Sequence, residues 1–155
     1  MTLPEITFAN VLDYIGTLAF AISGIRLAST KNFDWFGAYV VGLATAIGGG
    51  TVRDLMLDVP VFWMRNGIYF LITLLALLLV VLFGKVVVRQ KYTWFIFDTI
   101  GLGMFAVIGI EKTLGVGFPF WVAIVMGSVT GAGGGVIRDV FLNEVPLIFR
   151  AEIYA

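Results

Sequence analysis

The sequence predicts an all-α integral membrane protein: an inverted repeat of two three-helix units with broken second and fifth helices, the second unit lacking its third helix. Three observations carry this. Hydrophobic residues are 60 % of the 155 and charged residues only 13 %, too little charge to cover a water-soluble domain, so lipid must solvate much of the surface. The apolar residues are gathered into five runs separated by short polar turns. The chain also overlays itself when shifted by 85 residues, and the overlay aligns charged residues as well as apolar ones.

The first run, about Val11 to Ala28, approaches the roughly 20 residues of a membrane-spanning helix. Lys31, Asn32 and Asp34 form a polar turn after it. The second run, Trp35 to Ile47, is about two-thirds of a span before it meets Gly48, Gly49 and Gly50, then Arg53 and Asp54. A short apolar return, Leu55 to Leu57, stops at Asp58, Val59 and Pro60. The third run, Gly67 to Phe83, contains LLALLLVVLF and reads as a plain scaffold or lipid-facing helix. Lys85, Arg89 and Lys91 close it. The fourth run covers Trp94 to Ile110. The fifth begins near Phe118, meets Gly133, Gly134 and Gly135, then Arg138 and Asp139, and breaks at Pro146. No sixth apolar run follows before Ala155.

The 85-residue shift places Asp13 on Asp98, Gly16 on Gly101, Phe20 on Phe105, Gly24 on Gly109, Gly42 on Gly127 and Thr45 on Thr130. Both glycine triplets, both arginines and both aspartates coincide. Roughly 18 of about 46 positions are identical between residues 13–58 and their partners. The units are residues 1–92 and 93–155. Three spans per unit is an odd number, so the second copy enters the membrane from the opposite side, and interrupted helices in matching places point to a site near the midplane.

Consecutive glycines weaken a helix and free backbone groups, which are tolerable at membrane depth only inside protein or beside water. Arginine and aspartate at that depth cost about 2.5 kcal/mol or more each if they face lipid. Hence GGGTVRD and GGGVIRD are expected to line an internal polar path. Arg53 and Arg138 supply positive charge, Asp54 and Asp139 neutralise it, and Asp13 and Asp98 are vestibule carboxylates or partners of the arginines. Ser23, Thr45, Ser128 and Thr130 offer hydroxyls to a passing ion. Plainer readings compete. Isolated Gly16, Gly24, Gly101 and Gly109 read as helix-packing residues, and an Arg–Asp neighbour pair can be a structural salt bridge. Trp35, Phe36, Trp63, Trp94 and Trp121 read as interface anchors, and Glu111–Lys112 as a helix-end pair.

Ten basic residues balance ten acidic ones, so no basic excess points to nucleic acid. With no cysteine and no histidine, disulfides, thiolate metal sites and histidine catalysis are excluded. No nucleophile–base pair or metal-ligand cluster appears, so an enzyme is not expected, nor is a resident cofactor. No strand precedes the glycines, which removes a dinucleotide-binding reading. A basic n-region and a small-residue cleavage site are both lacking, so the start is not expected to be a signal peptide. Loops on one side collect Arg26, Lys31, Lys85, Arg89, Lys91, Arg138 and Arg150; the other side collects Arg53, Arg65 and Lys112. The positive side is expected in the cytoplasm and the N-terminus outside.

At its two motifs, residues 48–54 and 133–139, the chain resembles the prokaryotic branch of the trimeric intracellular cation channel (TRIC) family. The resemblance covers nearly the whole chain. It implies a multi-pass protein of the cell inner membrane, a homotrimer among membrane lipids, and bound lipid. It also implies a pore in each subunit permeable to monovalent cations such as K+ or Na+. That pore would be lined by second and fifth helices kinked at Gly48–Gly50 and Gly133–Gly135, with Arg53, Asp54, Arg138 and Asp139 beside them. Family members carry a third helix in the second repeat and a seventh helix, and this chain is expected to stop before both. The lysine-bearing lipid-binding motif of the animal branch has no match here. Two other functions remain open. One is secondary transport of a small solute such as an amino acid (glycine), since inverted repeats with broken helices are typical of transporters. The other is a non-conducting structural membrane protein.

Overall fold

A computed structural model describes residues 8–84 and 93–150. Among the described residues the helices run in order α1 Phe8–Ser29, α2 Trp35–Met56, α3 Phe62–Arg65, α4 Ile68–Leu82, α5 Thr93–Gly115 and α6 Phe120–Phe141, then a 3-10 turn at Leu147–Phe149. Four of them, α1, α2, α5 and α6, are long and apolar enough to cross a membrane, and α4 is apolar but has 15 residues. The described residues contain no strand. The basic cluster Lys85, Arg89 and Lys91 lies outside the described residues.

The expected breaks at the glycine triplets are not there. Both α2 and α6 are uninterrupted helices of 22 residues that run through Gly48–Gly50 and Gly133–Gly135. The physical reason is contact between backbones. A methyl group on Gly49 would come within 2.1 Å of the Thr130 carbonyl oxygen, and one on Gly134 within 2.2 Å of the Thr45 carbonyl oxygen. The helices touch where side chains are missing, so the propensity cost of glycine is offset by close packing. The flanking glycines have softer neighbours: Gly48 faces the end of Ile137, and Gly50 the ring of Phe62.

The helices end instead about two turns later, in the same way in both copies. Asp58 and Asn143 adopt positive φ, 54° each. Asp58 N–H bonds Leu55 O and Val59 N–H bonds Asp54 O; Asn143 N–H bonds Val140 O and Glu144 N–H bonds Asp139 O. This is the paired Schellman closure, here with short polar side chains in the left-handed position usually held by glycine. The other two positive-φ residues, Asn32 and Gly117, are also 85 positions apart. The short α3 and the 3-10 turn, which begin at Phe62 and Leu147, are likewise separated by 85 and had no signal in the apolar pattern.

Corresponding helices of the two copies pack antiparallel. Along α1, Gly16 meets Phe105, Phe20 meets Gly101 and Ser23 meets Asp98, so numbers rise on α1 as they fall on α5. On α2 and α6 the contacts are Thr45 with Gly134 and Gly49 with Thr130. Exchanging the copies turns each of these last two contacts into the other, the mark of a pseudo-two-fold axis through the α2–α6 crossing. Within each copy the pattern is also repeated. Gly24 lies against Gly42 and Thr45, and Gly109 against Gly127 and Thr130. Phe20, Ile25, Ala28, Val41, Ala46, Ala76, Val80 and Phe105 fill the core around these crossings.

Candidate functional site: two buried arginine–aspartate clusters

The last two turns of α2 and α6 carry the Arg–Asp pairs inward. Arg53 is 3 % exposed, Arg138 0 %, Asp54 0 % and Asp139 2 %. Burying such ions is tolerable only when each is paired and hydrogen-bonded, and the two copies meet that demand with one shared motif. Arg53 Nε donates to Asp54 Oδ1 at 2.8 Å, and Arg138 Nε to Asp139 Oδ1 at 2.8 Å. The second carboxylate oxygen accepts a backbone N–H eight residues on: Phe62 N–H to Asp54 Oδ2 at 2.9 Å, Leu147 N–H to Asp139 Oδ2 at 3.1 Å. Each aspartate therefore ties its arginine to the chain that folds back after the helix.

Beyond that motif the clusters differ. At the Arg138 end, Arg138 Nη1 bonds Asp98 of α5, and also Ser23 Oγ of α1 at 2.8 Å. Ser23 Oγ donates to Asp98 Oδ1 at 3.3 Å. Asp98 and Ser23 are fully buried, and the Trp94 ring lies over the guanidinium, 5.4 Å from its carbon to the ring centre. The gap beside Gly135, Arg138, Asp139 and Leu147 has no room for a water molecule. Among the described residues, Asp98 Oδ2 and Arg138 Nη2 are buried there without a partner, beside Gly135.

At the Arg53 end, Asp13 is not on the arginine. It accepts a hydrogen bond from the Tyr69 hydroxyl of α4. Lys112 of α5 reaches across and places Nζ 2.8 Å from Asp54 Oδ1. Arg53 lies over the Phe62 ring at 5.8 Å. A cavity of about 510 Å³ opens here, lined by Asp13, Arg53, Tyr69, Ile108, Glu111 and Lys112 among others. The 85-residue register explains part of the difference. Trp94, which covers Arg138, corresponds to Ala9; Lys112 corresponds to Leu27; and Ser23 corresponds to Ile108.

The structure thus gathers Arg53, Asp54 and Asp13 at one end and Arg138, Asp139, Asp98 and Ser23 at the other, with the two glycine triplets at the crossing between. Thr45 and Thr130 are buried there but turn their hydroxyls to their own helices, donating to Val41 O at 2.6 Å and Met126 O at 2.5 Å. Ser128 is on the exposed face of α6 and bonds Ile124 O. Reading Glu111–Lys112 as a helix-end pair misses Lys112, whose ammonium belongs to the Asp54 cluster. The Trp94 ring covers the Arg138 guanidinium, and Trp63 donates to Thr51 Oγ1 at 3.0 Å. Trp35, Phe36 and Trp121 are exposed. Tyr69 was within reach of sequence reasoning, because the same register pairs it with Tyr154.

The family model described as Glycine transporter matches residues 10–85 and 95–155. The UPF0126 inner membrane protein YadS of Escherichia coli (strain K12) is 42 % identical over 93 % of this chain and 70 % of its own length. The UPF0126 membrane protein YvgT of Bacillus subtilis is 41 % identical over 94 % of this chain and 73 % of its own. A crystal structure of the TRIC channel orthologue from Rhodobacter sphaeroides superposes with TM-score 0.89 and 37 % identity, covering 96 % of this chain and 77 % of that one. A prokaryotic TRIC channel crystallised in 0.5 M KCl superposes with TM-score 0.86 and 32 % identity, over 94 % of this chain and 76 % of that one.

Proposed function

The chain belongs to the UPF0126 membrane proteins, the prokaryotic TRIC-like family, and on that footing we propose that it is a cation channel permeable to potassium. The observation that carries this reading is the pair of buried Arg–Asp clusters at the two ends of one antiparallel helix crossing, one of them opening onto a cavity. Buried, paired charge and a cavity beside it are what a polar path through lipid requires. The trimeric intracellular cation channel orthologue of Rhodobacter sphaeroides and a prokaryotic TRIC channel share the fold at TM-scores of 0.89 and 0.86.

In this reading the facing sides of α2 and α6 line the path in each subunit, the units 1–92 and 93–155 are inverted repeats, and three subunits associate among membrane lipids. K+ or Na+ is the permeating species, and no resident cofactor is needed. The protein sits in the inner membrane with its N-terminus outside. Gly49 packs against the Thr130 backbone, so on this reading conduction requires α2 and α6 to part there. Arg53 and Arg138 stand in the path as gate charges, their repulsion of cations offset by Asp54, Asp139, Asp13 and Asp98. Recording single channels in a KCl gradient tests this. A reversal potential near that of potassium is expected; a chloride-like reversal, or no unitary current from well-reconstituted protein, ends the proposal.

A second reading, transport of a small zwitterion such as glycine, is favoured by one feature. The cavity is lined by both carboxylates, Asp13 and Glu111, and cations, Arg53 and Lys112. Saturable, gradient-coupled glycine uptake into liposomes would support it, and an ohmic current would count against it.

A further inference from the structure

The two copies place the same aspartate on different partners. Asp98 lies on its own repeat's arginine, Arg138, and that end is sealed. Asp13 lies on Tyr69, 56 residues further along, and that end is open. The sequence places another tyrosine, Tyr154, 56 residues after Asp98. Asp13 and Arg53 line the same cavity, so the carboxylate has the guanidinium as a neighbour across that space.

We propose that Asp13 is a two-position switch: on Tyr69 it leaves the Arg53 mouth open, and on Arg53 it closes it, as Asp98 on Arg138 closes the opposite mouth. Tyr69 is the positioning residue. Its hydroxyl donates to one carboxylate oxygen and holds α1 against α4. Its ring packs on Phe62 with centres 4.6 Å apart and on Tyr14 at 6.1 Å, so the hydroxyl has a fixed location. Without that donor Asp13 has Arg53 as its cationic neighbour across the cavity; Arg53 Nε is taken by Asp54, and its terminal nitrogens make no hydrogen bond among the described residues. A guanidinium–carboxylate bridge from α2 to α1 would then span the cavity mouth. The Arg138 end is tighter in part because Trp94 stands where Ala9 does in the first copy, so closure at Arg53 narrows the mouth more than it seals it. The inference rests on the reading of both charged ends as mouths of one path.

The chain has no cysteine, so a single reporter thiol reads the mouth directly, without ion flow. Ile108 lines the cavity and is 9 % exposed. In Ile108→Cys, a membrane-impermeant thiol reagent should label the cavity. Adding Tyr69→Phe removes one hydrogen bond to a charged group and should slow labelling by about tenfold. Adding Asp13→Asn to that variant should restore fast labelling, because no carboxylate is left to bridge to Arg53. Should Tyr69→Phe fail to fold, Asp13→Glu is the second arm: its longer side chain reaches towards Arg53 with the tyrosine intact, and slows labelling too. An unlabelled parent, an unchanged rate in the Tyr69→Phe or Asp13→Glu variant, or no restoration by Asp13→Asn overturns the switch. A non-conducting protein that shows the full labelling pattern would instead defeat the channel reading alone.

Discussion

Replacing Gly49 by alanine separates two meanings of the glycine triplet. The added methyl carbon would sit 2.1 Å from the Thr130 carbonyl oxygen and 3.2 Å from Gly134 N, whereas ordinary contact begins at 3.4 Å. The shortfall is 3.4 − 2.1 = 1.3 Å, and the obstacle is main chain that cannot rotate away. Overpacking of this kind costs up to about 3 kcal/mol, and the better helix propensity of alanine returns about 1, leaving a net loss of about 2 kcal/mol. Gly103→Ala on α5, where a methyl meets nothing within 4 Å, should gain up to about 1 kcal/mol. Gly48→Ala and Gly50→Ala should cost less than Gly49→Ala, because Ile137 and Phe62 can shift. Gly49→Ala with Gly134→Ala should cost less than the sum, since one separation of the helices accommodates both methyls. Unfolding in mixed detergent micelles, followed by circular dichroism, measures these variants together with Gly134→Ala alone. Equal losses at Gly48, Gly49 and Gly50 would point to a hinge and refute the close-contact argument, as would a Gly49→Ala protein as stable as its parent.

Arg138→Gln removes one partner from a fully buried cluster and leaves two carboxylates facing each other, so a loss of about 3–5 kcal/mol is expected in the same unfolding assay; a change below about 1 would show that the pairs are not mutually dependent. Arg53→Ala and Arg138→Ala should raise open probability in single-channel recordings, and unchanged gating in both would remove the arginines from the gate. Glu144 accepts from Lys31 and also pairs with Arg150 at 3.4 Å. The Lys31 hydrogen bond, then its charge, holds the Glu144 carboxyl below the usual range. A depressed carboxylate pKa adds stability that is present above the unfolded value, about 4.3, and is lost as pH falls through the lower folded value. Lys31→Met should therefore lower the melting temperature at pH 7 but not in strong acid or in about 1 M salt, where screening acts within about 3 Å; a difference that persists at low pH would place the effect elsewhere.

The apolar runs located the five long helices to within a few residues at most ends, because lipid demands uninterrupted apolar length. α2 is the informative exception. Its glycines read as a break when only local propensity is weighed, and they form continuous helix because α6 supplies a partner backbone that no single-chain pattern displays. The pairing of Arg138 with Asp98 was visible as two charges at matching repeat positions. That Asp13 takes Tyr69, and that Lys112 crosses to Asp54, was not, since both depend on where the cavity opens. Departures from the repeat were the usable signal. Lys112 against Leu27 and Trp94 against Ala9 mark the places where the two ends differ, and they differ in charge and bulk at the sites that set access.

The double engagement of Asp54 and Asp139 makes each carboxylate a mechanical link. One oxygen grips a cation and the other pins the returning chain at Phe62 or Leu147. Whatever pulls on the guanidinium also pulls on the segment that re-enters the bundle. An asparagine in either place can still hold the backbone amide while letting the cation go, so amide and alanine replacements should separate the grip from the pin.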